Sequence, residues 1–398
     1  MSNIQGIRRR TWAEIDLDGA KQNYIAVRNA VGDNVKICCV IKANAYGHGA
    51  VRMAAFYEQM GADYLAVSNI EEALQLRERN IKTPLLILGY TPEECAGVLS
   101  VYDITQTVYS YEYGKRLAKV ADELSVKVKI HIKIDTGMGR IGFICRDGEG
   151  DELSEAAEIC RKKSLIPEGI FTHFAVADEN TDGDSFTKEQ MTNFNRAVDR
   201  LGEMGIHFNI RHASNSAAIF DHPECHLDMV RAGIVLYGLK PSEKMRSLPN
   251  LTPVMSLKSV VSHIKEVQTG QTISYGRTFF ANRNTTVATV PIGYADGLWR
   301  VNGTNDCYML VNKKYAPIIG RICMDQLMLD VSELHCKVGD VVTVFGADSI
   351  CSADAIARRN GTINYEIVCA IGERVPRAFI ENGKITEWQD SIYKEDLI

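Results

Sequence analysis

Between residues 35 and 240 short apolar runs alternate with segments whose apolar positions recur every three to four residues. The runs are 35–41, 64–67, 85–88, 104–108, 126–134, 169–172, 208–211 and 230–236. They are short, rich in β-branched residues and bounded by turn formers, as buried strands are. The segments between them, such as 69–78 and 113–123, carry the helical period. Eight strands with helical crossovers, and no dinucleotide fingerprint after the first, predict a (β/α)8 barrel rather than an open sheet. A further strand-like stretch, 11–17, precedes them. Around 241–253 the texture changes as Pro, Ser, Asn and Thr cluster. Short strand patterns follow at 256–261, 286–290, 308–311, 327–331 and 341–345, separated by turn residues such as Asn302-Gly303 and Gly339-Asp340. This predicts two domains: a barrel over 1–245 and a mainly β domain over 246–398.

Composition narrows the class without changing it. The chain has 398 residues, 45% hydrophobic and 24% charged, ordinary values for a globular enzyme with a large core. A net charge of −5 argues against nucleic acid or an anionic membrane as a partner. Arg8-Arg9-Arg10, the one compact basic run, reads as a solvated arm. No stretch approaches 18 apolar residues and the first residues lack an apolar export region, so a cytoplasmic location is expected. Eleven cysteines, an odd number scattered through strand-like segments, read as small buried hydrophobes of a reducing compartment.

Candidate chemistry concentrates at the strand ends. The first run stops abruptly at Lys42, followed by small and polar residues and then Gly47-His48-Gly49. A lysine at the C-terminal end of a barrel strand sits where such folds place their chemistry. Partial desolvation there lowers its pKa toward a usable nucleophile or base. A lysine snorkelling out of a strand end gives the same pattern. Gly137-x-Gly139-x-x-Gly142 has the dinucleotide spacing, but that fingerprint needs its last glycine at a helix start, and the next helical pattern begins near 151. His222-Pro223-Glu224-Cys225-His226 lacks the spacing of a closed metal site and reads as a loop between the seventh and eighth strands, so no metal is expected.

The string Val40-Ile41-Lys42-Ala43-Asn44-Ala45-Tyr46-Gly47-His48-Gly49 resembles the signature of alanine racemases, which bind pyridoxal 5'-phosphate covalently through this lysine. Further strings match in family order as far as Tyr365. Lys133 to Gly142 resembles the motif around the arginine that receives the substrate carboxylate. The match implies that role for Arg140 and equates Lys133 with a lysine that many members carbamylate. His173 matches a residue stacked near the cofactor and coupled to a catalytic tyrosine. In Arg211-His212-Ala213-Ser214-Asn215-Ser216, Asn215 and Ser216 fall on the cofactor phosphate motif, with Ser214 where the family commonly has alanine. Arg231 matches the arginine facing the pyridine nitrogen, which keeps that nitrogen an acceptor, and the Gly233 and Ile234 amides match phosphate donors. Tyr275 matches the second base. Its phenol, ordinarily near pKa 10, needs the positive neighbours that the resemblance supplies in His173 and Arg231. Tyr294, the Met324 amide toward the substrate carboxylate, Asp325, and Tyr46 with Tyr365 at the phosphate complete the match.

The resemblance implies interconversion of L- and D-alanine by Lys42 on the D face and Tyr275 on the L face, supplying D-alanine for peptidoglycan. It also implies a head-to-tail homodimer in which Tyr275, Tyr294 and Met324 act on the neighbouring subunit's site. A serine or broad-specificity racemase and a non-catalytic pyridoxal-phosphate carrier are the alternatives. The retained Tyr365 favours alanine over serine, and the carrier would match the barrel half alone.

Overall fold

A computed structural model describes residues 9–146, 150–247, 249–304 and 306–392. All eight apolar runs are parallel strands of one sheet: β2 (Lys36–Val40), β3 (Tyr64–Val67), β4 (Leu85–Ile87), β5 (Ile104–Val108), β6 (Val128–Asp135), β7 (Leu165–Phe171), β8 (Ile210–His212) and β9 (Met229–Ala232). Their order is β9-β2-β3-β4-β5-β6-β7-β8. The Asp228 amide donates to the Arg211 carbonyl (3.1 Å) and the Arg231 amide to Ser214 (3.0 Å), which draws β8 and β9 together and closes the barrel. Both faces of the sheet are covered, as in β3, where every residue is apolar and buried. The eighth run stops being a strand at Ala232, and Ile234–Tyr237 turns into a 3-10 helix.

Crossover helices pack outside: α1 (Leu17–Val31) before β2, α2 (Ala50–Gln59), α3 (Ile70–Glu78), α4 (Ala96–Val101), α5 (Tyr111–Glu123), α6 (Leu153–Cys160) and α7 (Thr181–Glu203) between later strands. Asn69 caps α3 by accepting from the Glu72 amide. No helix among the described residues is long and apolar enough to cross a membrane.

Beyond residue 250 lie β10 (Met255–Val260), β11 (His263–Val267), β12 (Thr285–Val290), β13 (Tyr308–Val311), β14 (Lys314–Pro317), β15 (Leu327–Asp330), β16 (Val341–Phe345), β17 (Arg377–Glu381) and β18 (Lys384–Gln389); β10, β12, β13, β15 and β16 are the five predicted strands, and the pattern did not mark the other four. Helices α8 (Ala353–Asn360) and α9 (Asn364–Cys369) lie between β16 and β17. The larger sheet runs β14-β13-β16-β10-β1-β17-β18, where β1 is Thr11–Asp16. Thus the opening strand, which precedes the barrel in sequence, pairs antiparallel with β10 and parallel with β17 in the β-rich sheet. One continuous apolar core joins the two halves. The basic run is not a free arm: Arg9 pairs with Asp390 and lies over Trp388, and Arg10 chelates the fully buried Asp296 carboxylate. Desolvating Asp296 requires such a partner. Arg8 lies outside the described residues.

Candidate active site

At the end of β2 the chain does something its residue types do not announce. Ala43, Asn44, Ala45 and Tyr46 all have φ between 52° and 54°, one turn of left-handed helix ending at Gly47 (φ 83°). For L-residues this conformation costs about 1–2 kcal/mol per residue and is ordinarily visited singly. Strain of this kind persists only where surrounding structure imposes it, and it gathers at functional sites. The turn is gripped throughout. The Ala43 amide donates to Glu72 (2.6 Å), the Asn44 side chain accepts from the Ala50 amide (2.8 Å), and the buried His48 holds the Ala45 and Tyr46 carbonyls through Nδ1. Lys42 stands at its start and Tyr46 at its end.

A cavity of about 560 Å3 opens at the C-terminal ends of the strands, within the size range of small-molecule sites. Lys42, Tyr46, Lys133, Arg140, His173, Asn215, Ser216, Arg231, Gly233, Ile234 and Tyr365 all line it. On one wall the Gly233 amide donates to the Ser216 hydroxyl (2.8 Å). A Cβ at Gly233 would lie 3.0 Å from the Tyr46 hydroxyl and 3.4 Å from Ser216 Oγ. Hydroxyls and main-chain donors thus converge on a space that only a glycine leaves open, the donor set of an anion cradle. Burial lowers the Lys42 pKa, and the nearby Arg140 lowers it further.

In the same cavity, Arg231 is 4% exposed and clamped on four acceptors. Its guanidinium donates to the Thr172 carbonyl (2.8 Å), the Ala213 carbonyl (2.9 Å), His173 Nδ1 (3.2 Å) and His212 Nδ1 (2.9 Å). Burial brings its pKa down to about 10, which leaves it charged at neutral pH. Because arginine only donates, both imidazoles must present bare Nδ1 atoms and carry their protons on Nε2. His212 Nε2 lies 2.9 Å from His131 Nδ1, so it donates there. That puts the His131 proton on Nε2, facing the Glu168 carboxylate at 3.6 Å. Glu168 also accepts from the Tyr64 hydroxyl (2.8 Å). His131 first, and then Tyr64, hold this carboxyl down to about 2 despite its burial. Burial lowers the pKa of His131, His173 and His212, which keeps all three neutral. A chain of fixed tautomers therefore joins Arg231 to a carboxylate inside the barrel.

The alternating polar positions of β6 point into the barrel: His131 and Lys133 are buried. Lys133 Nζ donates to the Ile134 carbonyl (3.1 Å) and lies 5.1 Å from the Phe171 ring centre. Burial drives its pKa well below the ordinary value, with Arg231 the strongest of its charged opponents. The glycines at 137, 139 and 142 form a tight loop, not a helix start. Asp135 accepts from the Gly137 and Gly139 amides (2.9 and 3.1 Å), and a Cβ at Gly142 would meet the Asp135 amide at 2.5 Å. The cluster at 222–226, expected as a loop, contains a 3-10 turn over Pro223–Cys225, with His226 bonded to the Ile219 carbonyl and His222 between Asp184 and Glu224.

Four singled-out residues do not line the cavity of their own chain. Tyr275 is 66% exposed, Met324 52% and Tyr294 43%, and Asp325 is paired with Arg374 on the β-rich half. His131, His212 and Glu168 had no role assigned from sequence. The only signal for His131 was the polar face of an otherwise apolar strand, which means inside only once the barrel is closed.

Pyridoxal phosphate fits what is present: an anion cradle for its phosphate, a desolvated amine for its aldehyde, and a fixed guanidinium in the same cavity for its ring nitrogen. Residues 15–241 match the family described as alanine racemase, N-terminal domain, and residues 254–379 that described as alanine racemase, C-terminal domain. Alanine racemase of Methanococcus maripaludis is 45% identical over 375 residues, covering 93% of this chain and 98% of its own. Alanine racemase 2 of Caldanaerobacter subterraneus is 44% identical over 380 residues, covering 95% and 96%. The solved alanine racemase of Clostridium difficile superposes with a TM-score of 0.91 at 42% identity, over 97% of this chain and 100% of that one. The Bacillus anthracis alanine racemase with bound L-Ala-P gives 0.90 at 37% identity, over 97% and 99%.

Proposed function

The chain belongs to the alanine racemase family, and we propose that it interconverts L- and D-alanine with pyridoxal phosphate held at Lys42. The observation that carries this reading is the convergence, in one cavity, of the Lys42 amine, the Tyr46–Ser216–Gly233 cradle and the clamped Arg231. When bound, pyridoxal phosphate supplies the electron sink that acidifies the α-proton of an attached amino acid. Arg231 keeps the ring nitrogen from being protonated, because it offers only donors and stays charged. That tempers the sink and favours return of the proton to carbon. Arg140 receives the alanine carboxylate, for which its planar fork is suited.

Inversion needs two bases on opposite faces. Lys42 moves the proton on the D face. On the L face the residue is the partner subunit's Tyr275, since Tyr275 of the same chain is exposed and away from the cavity. His173 carries its proton on Nε2, a donor for the phenol that the partner would bring. A head-to-tail homodimer therefore completes each site, adding the Met324 amide and Tyr294. Lys133, whose pKa burial lowers, adds CO2: its nitrogen bonds to carbon and releases a proton, and the resulting carbamate orients Arg140. All eleven cysteines are free thiols, which supports a cytoplasmic location, and D-alanine for peptidoglycan is the product's role.

Turnover of a panel of L-amino acids, with chiral analysis of the products, tests the reading. L-alanine should yield D-alanine and approach a racemic mixture, with serine slower. Absence of D-alanine would refute it. Tyr275→Phe should slow α-proton exchange from L-alanine more than from D-alanine, and equal losses would refute the two-base assignment.

A further inference from the structure

Arg377 is on β17, in the β-rich half, and is 2% exposed. A guanidinium so buried ordinarily needs a carboxylate, yet every hydrogen bond it makes ends on a main-chain carbonyl. Nε and Nη2 donate to Gly47 (2.9 and 2.7 Å), Nη2 also to Ile371 (2.6 Å), and Nη1 to Gly372 (2.7 Å) and Val375 (2.5 Å). The Gly47 carbonyl closes the left-handed turn that Lys42 opens. Glu72, from the barrel, holds the amide at the other end of that turn. The α9 backbone presses on it too, since a Cβ at Gly47 would lie 2.2 Å from the Val368 carbonyl.

We propose that Arg377 is a positioning residue for Lys42: its fork fastens the strained turn to the β-rich half and so fixes where the amine stands. Lysine cannot replace it, because one ammonium lacks the planar geometry to hold the Gly47 carbonyl twice while also reaching three others. The fork ties Gly47 to the 371–375 segment, which follows Tyr365 and α9. Thus one side chain joins the turn bearing the lysine to the segment that follows α9, the helix bearing Tyr365.

The proposal rests on Lys42 being the working amine, and the test separates the two. Arg377→Lys and Arg377→Gln are made in the full chain and studied where circular dichroism shows them folded. In cofactor-free protein the pH midpoint of Lys42 acylation is read by peptide mass mapping. The charged and titratable groups acting on that amine are Arg140, Glu72 and Cys369, none of which is altered. Loosening the turn exposes the amine, so its midpoint should rise by about half a unit or more toward the ordinary lysine value. In the loaded enzyme kcat should fall about 10-fold or more while KM for alanine stays within about 2-fold, because Arg140 is not part of the bracket. Unchanged midpoint and kcat, whatever the loss of thermal stability, would overturn the proposal. Failure of both variants to fold would also overturn it, by making Arg377 a requirement of the whole fold. If the parent enzyme does not racemise alanine, the function is wrong, while the midpoint still reports on positioning.

Discussion

At the scale of single residues the site depends on atoms that are missing or cannot change their role. Gly233 is there for its lack of a Cβ, which would sit between the Tyr46 and Ser216 hydroxyls. Gly233→Ala should therefore weaken pyridoxal-phosphate affinity about 10-fold, roughly the worth of one or two disturbed hydrogen bonds. Fluorescence titration of the cofactor-free protein checks this, and its thermal midpoint should move little because the site lies at the cavity wall. Arg231 is there because it cannot accept a hydrogen bond, and that single property dictates the tautomers of three histidines.

At the scale of elements, four strands (β6, β7, β8 and β9) each contribute one side chain to the relay from Arg231 to Glu168. The carboxyl is held at about 2, below its ordinary value near 4.3. With the folded pKa depressed, its stabilising contribution is complete above about pH 4.3 and is lost as pH falls toward 2. Glu168→Gln removes the charge but retains an acceptor. The urea midpoint should accordingly drop by a constant amount between pH 6 and 8, and the gap from the parent should narrow below pH 4. A gap independent of pH down to 3 would contradict the charge assignment. The left-handed turn after β2 is the other element-scale feature, held by Glu72 and His48 of the barrel and by Arg377 of the β-rich half.

At the scale of the molecule, the cavity and the exposed Tyr275 belong to one chain yet do not meet within it. A shared-site dimer makes a specific demand. Neither Lys42→Ala nor Tyr275→Phe homodimers should support normal turnover. Their heterodimer, made by coexpression with two different tags, pairs both defects in one site and leaves the other intact. It should recover about half the parent's activity. Recovery of none would mean that lysine and tyrosine act within one chain.

What the amino-acid order alone determined was set by local physics. Periods of two and 3.6 residues, with breaks at turn formers, marked the eight barrel strands, helices such as α3 and α5, and five of the later β strands within a few residues, but not β11, β14, β17 or β18. The abrupt polar residues ending apolar runs, Lys42 and His173, marked strand ends that line the cavity. What only the tertiary structure decided was non-local or strained. Ala43 to Tyr46 carry no sign of positive φ, because packing imposes it from outside. His131 carried no local sign of its place, because the polar face of its strand turns inward only when the barrel closes. The membership of β1 in the far sheet, the grip of Arg377 on Gly47 and the separation of Tyr275 from Lys42 all rest on contacts between residues hundreds of positions apart, which no local pattern encodes.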